Sequence, residues 1–237
     1  MSDSINIFEN PQYYREQLLK INLFDINQRK KIDGKSLICV FFTAYCGVGC
    51  PFCFFHSPTS RKEKNEFISK ENHFSKEAVD KFIKFANDAN VGYLQISGGG
   101  EPFLEFDAIL KCIETIKAER IILVTSGFWA YNEINAEKYL KELYNSLSKN
   151  PITPRLTIRV SISEYHSIKL KEKPLVNLIN IFDKKYKNKK NFTLQLKFFE
   201  GDHALEKYLN DYFPGYKLFL IENNGTCLLY TSDAADE

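Results

Sequence analysis

Neither sign of charge dominates this chain. Its 32 Lys and Arg stand against 30 Asp and Glu, so nothing in the balance steers it toward nucleic acid or an anionic membrane, and neither is expected as a partner. No apolar run approaches the ~20 residues that span a bilayer. The opening "MSDSINIFENPQYY" lacks the basic-then-apolar order of a secretory leader, and no segment repeats another. A cytoplasmic location is therefore expected. Cysteine is scarce, at six residues, and in a reducing compartment thiols serve as ligands more often than they form disulfides.

Half of those cysteines fall in one stretch of ten residues. "CGVGCPFCFF" holds Cys46, Cys50 and Cys53. Three thiols cannot pair off among themselves, and Gly47, Gly49 and Pro51 mark a turn rather than a packed element. Closely spaced thiolates in a loop point to metal. Two readings stay open on spacing alone. A structural zinc would take His56 as fourth ligand in Cys46-x3-Cys50-x2-Cys53-x2-His56 and make the chain a zinc-stabilised binding module. A three-ligand centre would instead leave one position open. Cys39, in mid-strand, and Cys112, on an apolar helix face, read as core residues. Cys227 is discounted with the tail that holds it.

Apolar patterning sets the frame. "SLICVFF" (36–42), "GYLQIS" (92–97), "RIILVTSG", "RLTIRVSIS", "NFTLQLKFFE" and "YKLFLIEN" read as strands. Between them, "FDAILKCIETIKAE", "INAEKYLKELYNSL" and "PLVNLINIFDKKY" read as helices, as does a segment capped by Ser75 and carrying Val79, Phe82, Ile83 and Ala86 at helical spacing. Pro174 suits the first turn of the last of these. A helix over "PQYYREQLLKI" and another over "HALEKYLNDYF" flank this core. Strands alternating with helices predict βαβ units and a parallel sheet. The cysteine loop, "GGGEP", "TSG", "SISEYH" and "FEGDH" each follow a strand end, the face where α/β folds place their chemistry. Thr157, Arg159, Ser161 and Ser163 alternate with Ile158, Val160 and Ile162, as Thr193, Gln195 and Lys197 alternate with Leu194, Leu196 and Phe198. Each strand thus has one polar face. A sheet covered on both sides would read as continuous apolar runs, so the expected architecture is a curved, partial (β/α)6 barrel with a wet interior. "KKYKNKK" (184–190) reads as a solvated loop at the opposite end, and His166 as a solvated loop residue.

Cys46-x3-Cys50-x2-Cys53 after the first strand, with Phe52 before the third cysteine, resembles the signature of the radical S-adenosylmethionine (SAM) enzymes. Gly99-Gly100-Glu101-Pro102 after the second strand resembles that family's second motif. The resemblance implies that the three thiolates hold three irons of a [4Fe-4S] cluster and leave the fourth to the amino and carboxylate groups of SAM. It further implies that the reduced cluster cleaves SAM to a 5′-deoxyadenosyl radical, which abstracts a substrate hydrogen. The residues Ser97, Gly98, Gly99, Gly100 and Glu101 would meet the methionyl ammonium by their backbone, and Phe52 would border the adenine. Ser161, Ser163 and Phe199 would reach ribose or adenine, while Arg159 would hold a carboxylate or a substrate anion. A low-potential electron donor of flavodoxin or ferredoxin type is the implied partner.

"VSISEYH" loosely resembles peptide- and protein-modifying members, although Ser163 stands where Asp is frequent. A peptide or protein substrate is expected first, a small molecule or nucleotide second. The expected organisation is an N-terminal helical extension at 1–35, a core at 36–226, and a tail at 227–237. That tail, "CLLYTSDAADE", breaks with the Lys-, Asn- and Phe-rich usage before it and resembles the translation of a transposase sequencing adapter. On that reading the natural sequence is cut near Thr226.

Overall fold

Five strands run parallel in the order in which the chain makes them. β1 (Leu37–Phe41), α1 (Lys76–Asp88), β2 (Tyr93–Ser97), α2 (Phe106–Thr115), β3 (Arg120–Thr125), α3 (Glu133–Lys149), β4 (Arg155–Ser161), α4 (Lys173–Lys185) and β5 (Phe192–Phe199) alternate without a break. The computed structural model describes residues 37–50, 53, 55, 57, 73–162, 173–199, 217–221 and 226–230, with the backbone alone for 198–199, 217–221 and 226–230. All lie in the second of the chain's two units, Gly34–Glu237. The expected helices over "PQYYREQLLKI" and "HALEKYLNDYF", together with Phe52, His56, Ser163, His166 and "FEGDH", lie outside the described residues. Among the described residues no helix is long and apolar enough to cross a membrane.

The strand order β1-β2-β3-β4-β5 decides between the two α/β architectures. A doubly wound sheet reverses direction at a switch point. Here every crossover steps the same way, and crossovers of one hand then put every helix on one face. Burial agrees. Leu94, Ile96, Ile121, Leu123, Leu156 and Ile158 are fully buried beneath the helices. Their neighbours Gln95, Ile122, Arg159 and Ser161 are only half-buried on the other face. The result is a partial barrel with a polar interior, as the alternation in β4 and β5 predicts.

Local chemistry fixes the joints. Ser75 caps α1, its hydroxyl accepting from the Ala78 N–H at 3.1 Å, and Asn132 caps α3 by accepting from Asn135 at 2.8 Å. Such caps contribute about 1 kcal/mol each. The buried Asn150 side chain donates to the carbonyls of Ile113 (2.7 Å) and Ile116 (2.9 Å), satisfying acceptors that α2 leaves open at its C-terminus. "KKYKNKK" forms the end of α4 and the turn into β5. Its lysines are exposed, and Lys189 lies over the Tyr144 ring.

Two expectations need correction. Cys39 is exposed rather than core: Val40 takes the helix side of β1, so its neighbour points into the barrel, where the Gln95 side chain reaches its sulfur at 3.6 Å. In place of a sixth parallel strand beside β5, the sheet continues with β7 (Thr226–Tyr230) and then β6 (Lys217–Ile221). β7 is antiparallel to both β5 and β6. β6 therefore runs in the direction expected of it, one strand too far out. An open sheet edge accepts any β-prone segment within reach, and "TCLLY" is one.

Strand β4 yields a direct check of which face is inside. Ile158→Ala should destabilise the protein by about 2–5 kcal/mol, as for a buried aliphatic truncation. Arg159→Ala, which removes the hydrogen bond to Gln195, should cost about 1 kcal/mol. Urea unfolding of both variants measures the order, and the reverse order would turn the strand inside out.

Candidate cofactor cavity

β1 delivers the chain into the cysteine loop, and the loop is fastened backbone to backbone. Gly100 N–H donates to the Thr43 carbonyl at 2.8 Å, and Glu101 N–H to the Tyr45 carbonyl at 2.7 Å. The β1–β2 pairing is thus carried past the strand ends into both motifs. Buried Ala44 and Val48 anchor the loop from below, and Cys53 N–H closes a turn onto the Cys50 carbonyl at 3.1 Å.

The glycines prove to be needed for packing. A β-carbon on Gly100 would lie 1.9 Å from the Tyr45 carbonyl oxygen, and one on Gly98 would lie 1.9 Å from that of Gly100. At Gly99 the nearest atom is 3.4 Å away. Of the three, Gly99 alone leaves room that a side chain could occupy. The cysteine loop and the glycine loop sit closer than side chains allow.

The Glu101 side chain is turned into the protein. It is 3 % exposed and both its oxygens accept hydrogen bonds. Oε1 takes the Thr125 hydroxyl (2.6 Å) and the Phe103 N–H (3.3 Å). Oε2 takes the Ser126 N–H (2.8 Å) and hydroxyl (2.7 Å). Thr125 Oγ1 accepts in turn from Gly127 N–H and Trp129 Nε1, each at 3.1 Å, so its own proton points to Glu101. Burial pushes the Glu101 carboxyl above the ordinary range, and the donors from Thr125, Ser126 and Phe103 oppose that shift. Below this knot, Phe103 stacks on Trp129 with centroids 4.3 Å apart, and Tyr139 of α3 meets both rings edge-on.

Cys46, Cys50 and Cys53 line one cavity of about 270 Å³ together with Gly98, Gly99, Gly100 and the ends of β3, β4 and β5. Ser57 Oγ lies 3.7 Å from Cys53 Sγ. Burial raises the Cys46 thiol, the N–H groups of Val48 and Gly49 oppose this, and the Glu101 charge adds to it; a metal cation reverses such a balance by coordination. Among the described residues no group of three His, Cys, Asp or Glu is placed to hold a single metal ion. Three cysteines on one cavity are the donor set of an iron–sulfur cluster, which takes one thiolate per iron. Cys112 is fully buried in the helix layer and its thiol is pushed up to about 12 by burial, so it stays a neutral core residue.

Of the other candidates, Ser161 lines the cavity, and Glu101 belongs to its wall. Ser97 ends β2 opposite Phe41, and Arg159 lies one pleat inward of Ser161; neither is part of the cavity wall. Phe199 closes β5, and Phe52 and Ser163 lie outside the described residues. Sequence reasoning passes over Lys197, Thr125, Ser126 and Ser57, which all line the cavity. For Lys197 the polar alternation of β5 was the available signal. For Thr125 and Ser126 it was only their place in "TSG" at a strand end.

A family model described as a 4Fe-4S single cluster domain matches residues 32–153. The chain belongs to this family of radical SAM type. Membership sets aside the zinc-stabilised binding module. Among solved structures the radical SAM chain is similar to the crystal structure of archaeal TYW1, at 15% identity over 71% of this chain and 75% of that one, with a TM-score of 0.36. No curated protein matches it.

Two substitutions test how the cavity is held. Gly100→Ala should displace the cysteine loop and lower iron and sulfide per chain after anaerobic loading, whereas Gly47→Ala, where a β-carbon meets nothing within 4 Å, should load fully. Equal loading would show that the close approach is dispensable. Glu101→Gln sets an amide N–H against groups that are already donors and should cost about 1–3 kcal/mol in unfolding. No loss of stability would mean that the carboxylate network is not formed.

Proposed function

We propose that this radical SAM enzyme cleaves SAM reductively and uses the resulting radical to modify a peptide or protein. The single observation behind the SAM-cleaving part of this reading is the meeting of three cysteines, the glycine-rich loop and the ends of β4 and β5 in one cavity at the C-terminal edge of parallel strands. When bound, the cluster and SAM supply an electron and a carbon radical that takes a hydrogen atom from substrate. The chain's own residues hold and orient. Cys46, Cys50 and Cys53 would each bind one iron, and the site would remain open for SAM where a fourth thiolate would close it.

The backbone around Gly98–Glu101 would receive the methionyl end of SAM, held at a fixed distance from the cysteines by the Thr43 and Tyr45 carbonyls. Ser161 would donate to the ribose. The buried, stacked floor of Phe103 and Trp129 limits water and movement under the loop. Radical SAM enzymes need a reductant, and a flavodoxin or ferredoxin would fill that role. A peptide substrate follows from the likeness of "VSISEYH" to peptide-modifying members; a small molecule or nucleotide is the second reading.

Anaerobic loading with iron and sulfide should give one [4Fe-4S] cluster per chain, with brown absorbance, and dithionite should then release 5′-deoxyadenosine and methionine from SAM. Cys46→Ala, Cys50→Ala or Cys53→Ala should each abolish both signals, while Cys39→Ala and Cys112→Ser should keep them. A cluster that survives Cys50→Ala but not Cys112→Ser would sink the assignment. Substrate class is read by mass spectrometry of candidate peptides after turnover. Unchanged peptides beside a changed nucleotide would favour the second reading.

A further inference from the structure

The five parallel strands contain no Asp or Glu. They do contain Arg120, Arg155, Arg159 and Lys197, and the register puts all four on the face away from the helices. Arg120 and Arg155 pair with each other at the N-terminal edge. The other two lie toward the cavity. Arg159 is opposite Gln195, and Ser161 is opposite Lys197, so the two cations sit on adjacent strands, one pleat repeat (roughly 6–7 Å) apart along the strand direction. Lys197 is the cation among the described residues that line the cysteine cavity. Glu101, the acid in that wall, is turned into its own donors. Arg159 Nε donates to Gln195 Oε1 at 3.1 Å, which fixes the plane of the guanidinium. Thr157 and Thr193, 2.9 Å apart through their hydroxyls, continue the polar floor beyond it.

Two cations one pleat apart, on the inner face of strands that carry no acid, form a receptor for an oxyanion. We propose that Arg159 and Lys197 bind an oxyanion of the substrate, a carboxylate in the case of a peptide, and so place the rest of the substrate toward the cysteine cavity. The proposal rests on the radical SAM reading and adds the class of substrate: an acidic one. It also separates two roles at the cavity, since Arg159 stands off the cysteine-lined wall where SAM would be held.

The test uses the full chain and two probes, glutarate and inorganic phosphate, with calorimetric titration of the protein before and after cluster loading. Wild type should saturate with at least one probe, with glutarate if the natural anion is a carboxylate and with phosphate if it is a phosphate ester. Arg159→Gln and Lys197→Met should each weaken that binding roughly tenfold, as loss of a charge-assisted contact does. Lys189→Met, at the opposite end of the barrel, should change nothing. Affinity for SAM should stay within about twofold in Arg159→Gln and Lys189→Met, the two positions off the cavity wall. A thermal melt of each variant establishes that it is folded. No saturable binding to wild type, or equal binding to every variant, would overturn the proposal. So would a fall in SAM affinity with the probes unaffected, since the cations would then serve the cofactor. Cluster loading is scored separately on the wild-type chain. Failure of the wild type to load a cluster, with anion binding intact, would refute the enzyme reading and leave the anion site standing.

Discussion

One buried carboxylate holds the site in register. Glu101 gives its backbone N–H to the cysteine loop, through Tyr45, and its side chain to the end of β3, through Thr125 and Ser126. Three strand ends that are distant in sequence are thereby tied at one residue. A lone carboxylate this deep would be expensive, and four donors offset its lost hydration. The arrangement succeeds only because glycines stand at 100, where any β-carbon would push the two loops apart, and at 98, where one would collide with the backbone of Gly100 in its own loop. The motif "GGGEP" is thus a clamp between two loops as much as a surface for a ligand.

Much of this fold is legible in the chain. Strand alternation depends on the period of two alone, so the polar faces of β4 and β5 could be read from Thr157, Arg159 and Ser161 against Ile158 and Val160. Ser75 announces α1 because a hydroxyl just before an apolar helical pattern has one evident use. The cysteine spacing is equally local. Other features depend on contacts that no short window contains. Cys39 looks like a core residue until the pairing of β1 places Val40 toward the helices. The insertion of β7 between β5 and β6 depends on which edge was open when a β-prone segment came within reach. Lys197 gains meaning only when β5 comes to rest beside β4 and the cysteine loop folds over both.

The cysteines divide by environment more than by sequence. Cys46, Cys50 and Cys53 stand in a half-buried loop facing a cavity. Cys112 is sealed beneath helices, where its proton is held tightly. One residue type thus stands open to a cavity in the first case and serves as a small apolar side chain in the second. The difference lies in solvent and neighbouring dipoles.

The chain has one tryptophan, and it is Trp129, whose indole N–H bonds to the Thr125 hydroxyl that itself serves Glu101. Light absorbed selectively by indole therefore enters the molecule at a single known place, directly under the loop that borders the cysteine cavity. An iron–sulfur chromophore there would drain that excitation by energy transfer, and any loosening of the Glu101 knot would shift the polarity that the indole senses. The protein carries its own optical gauge at the spot where its cofactors would meet.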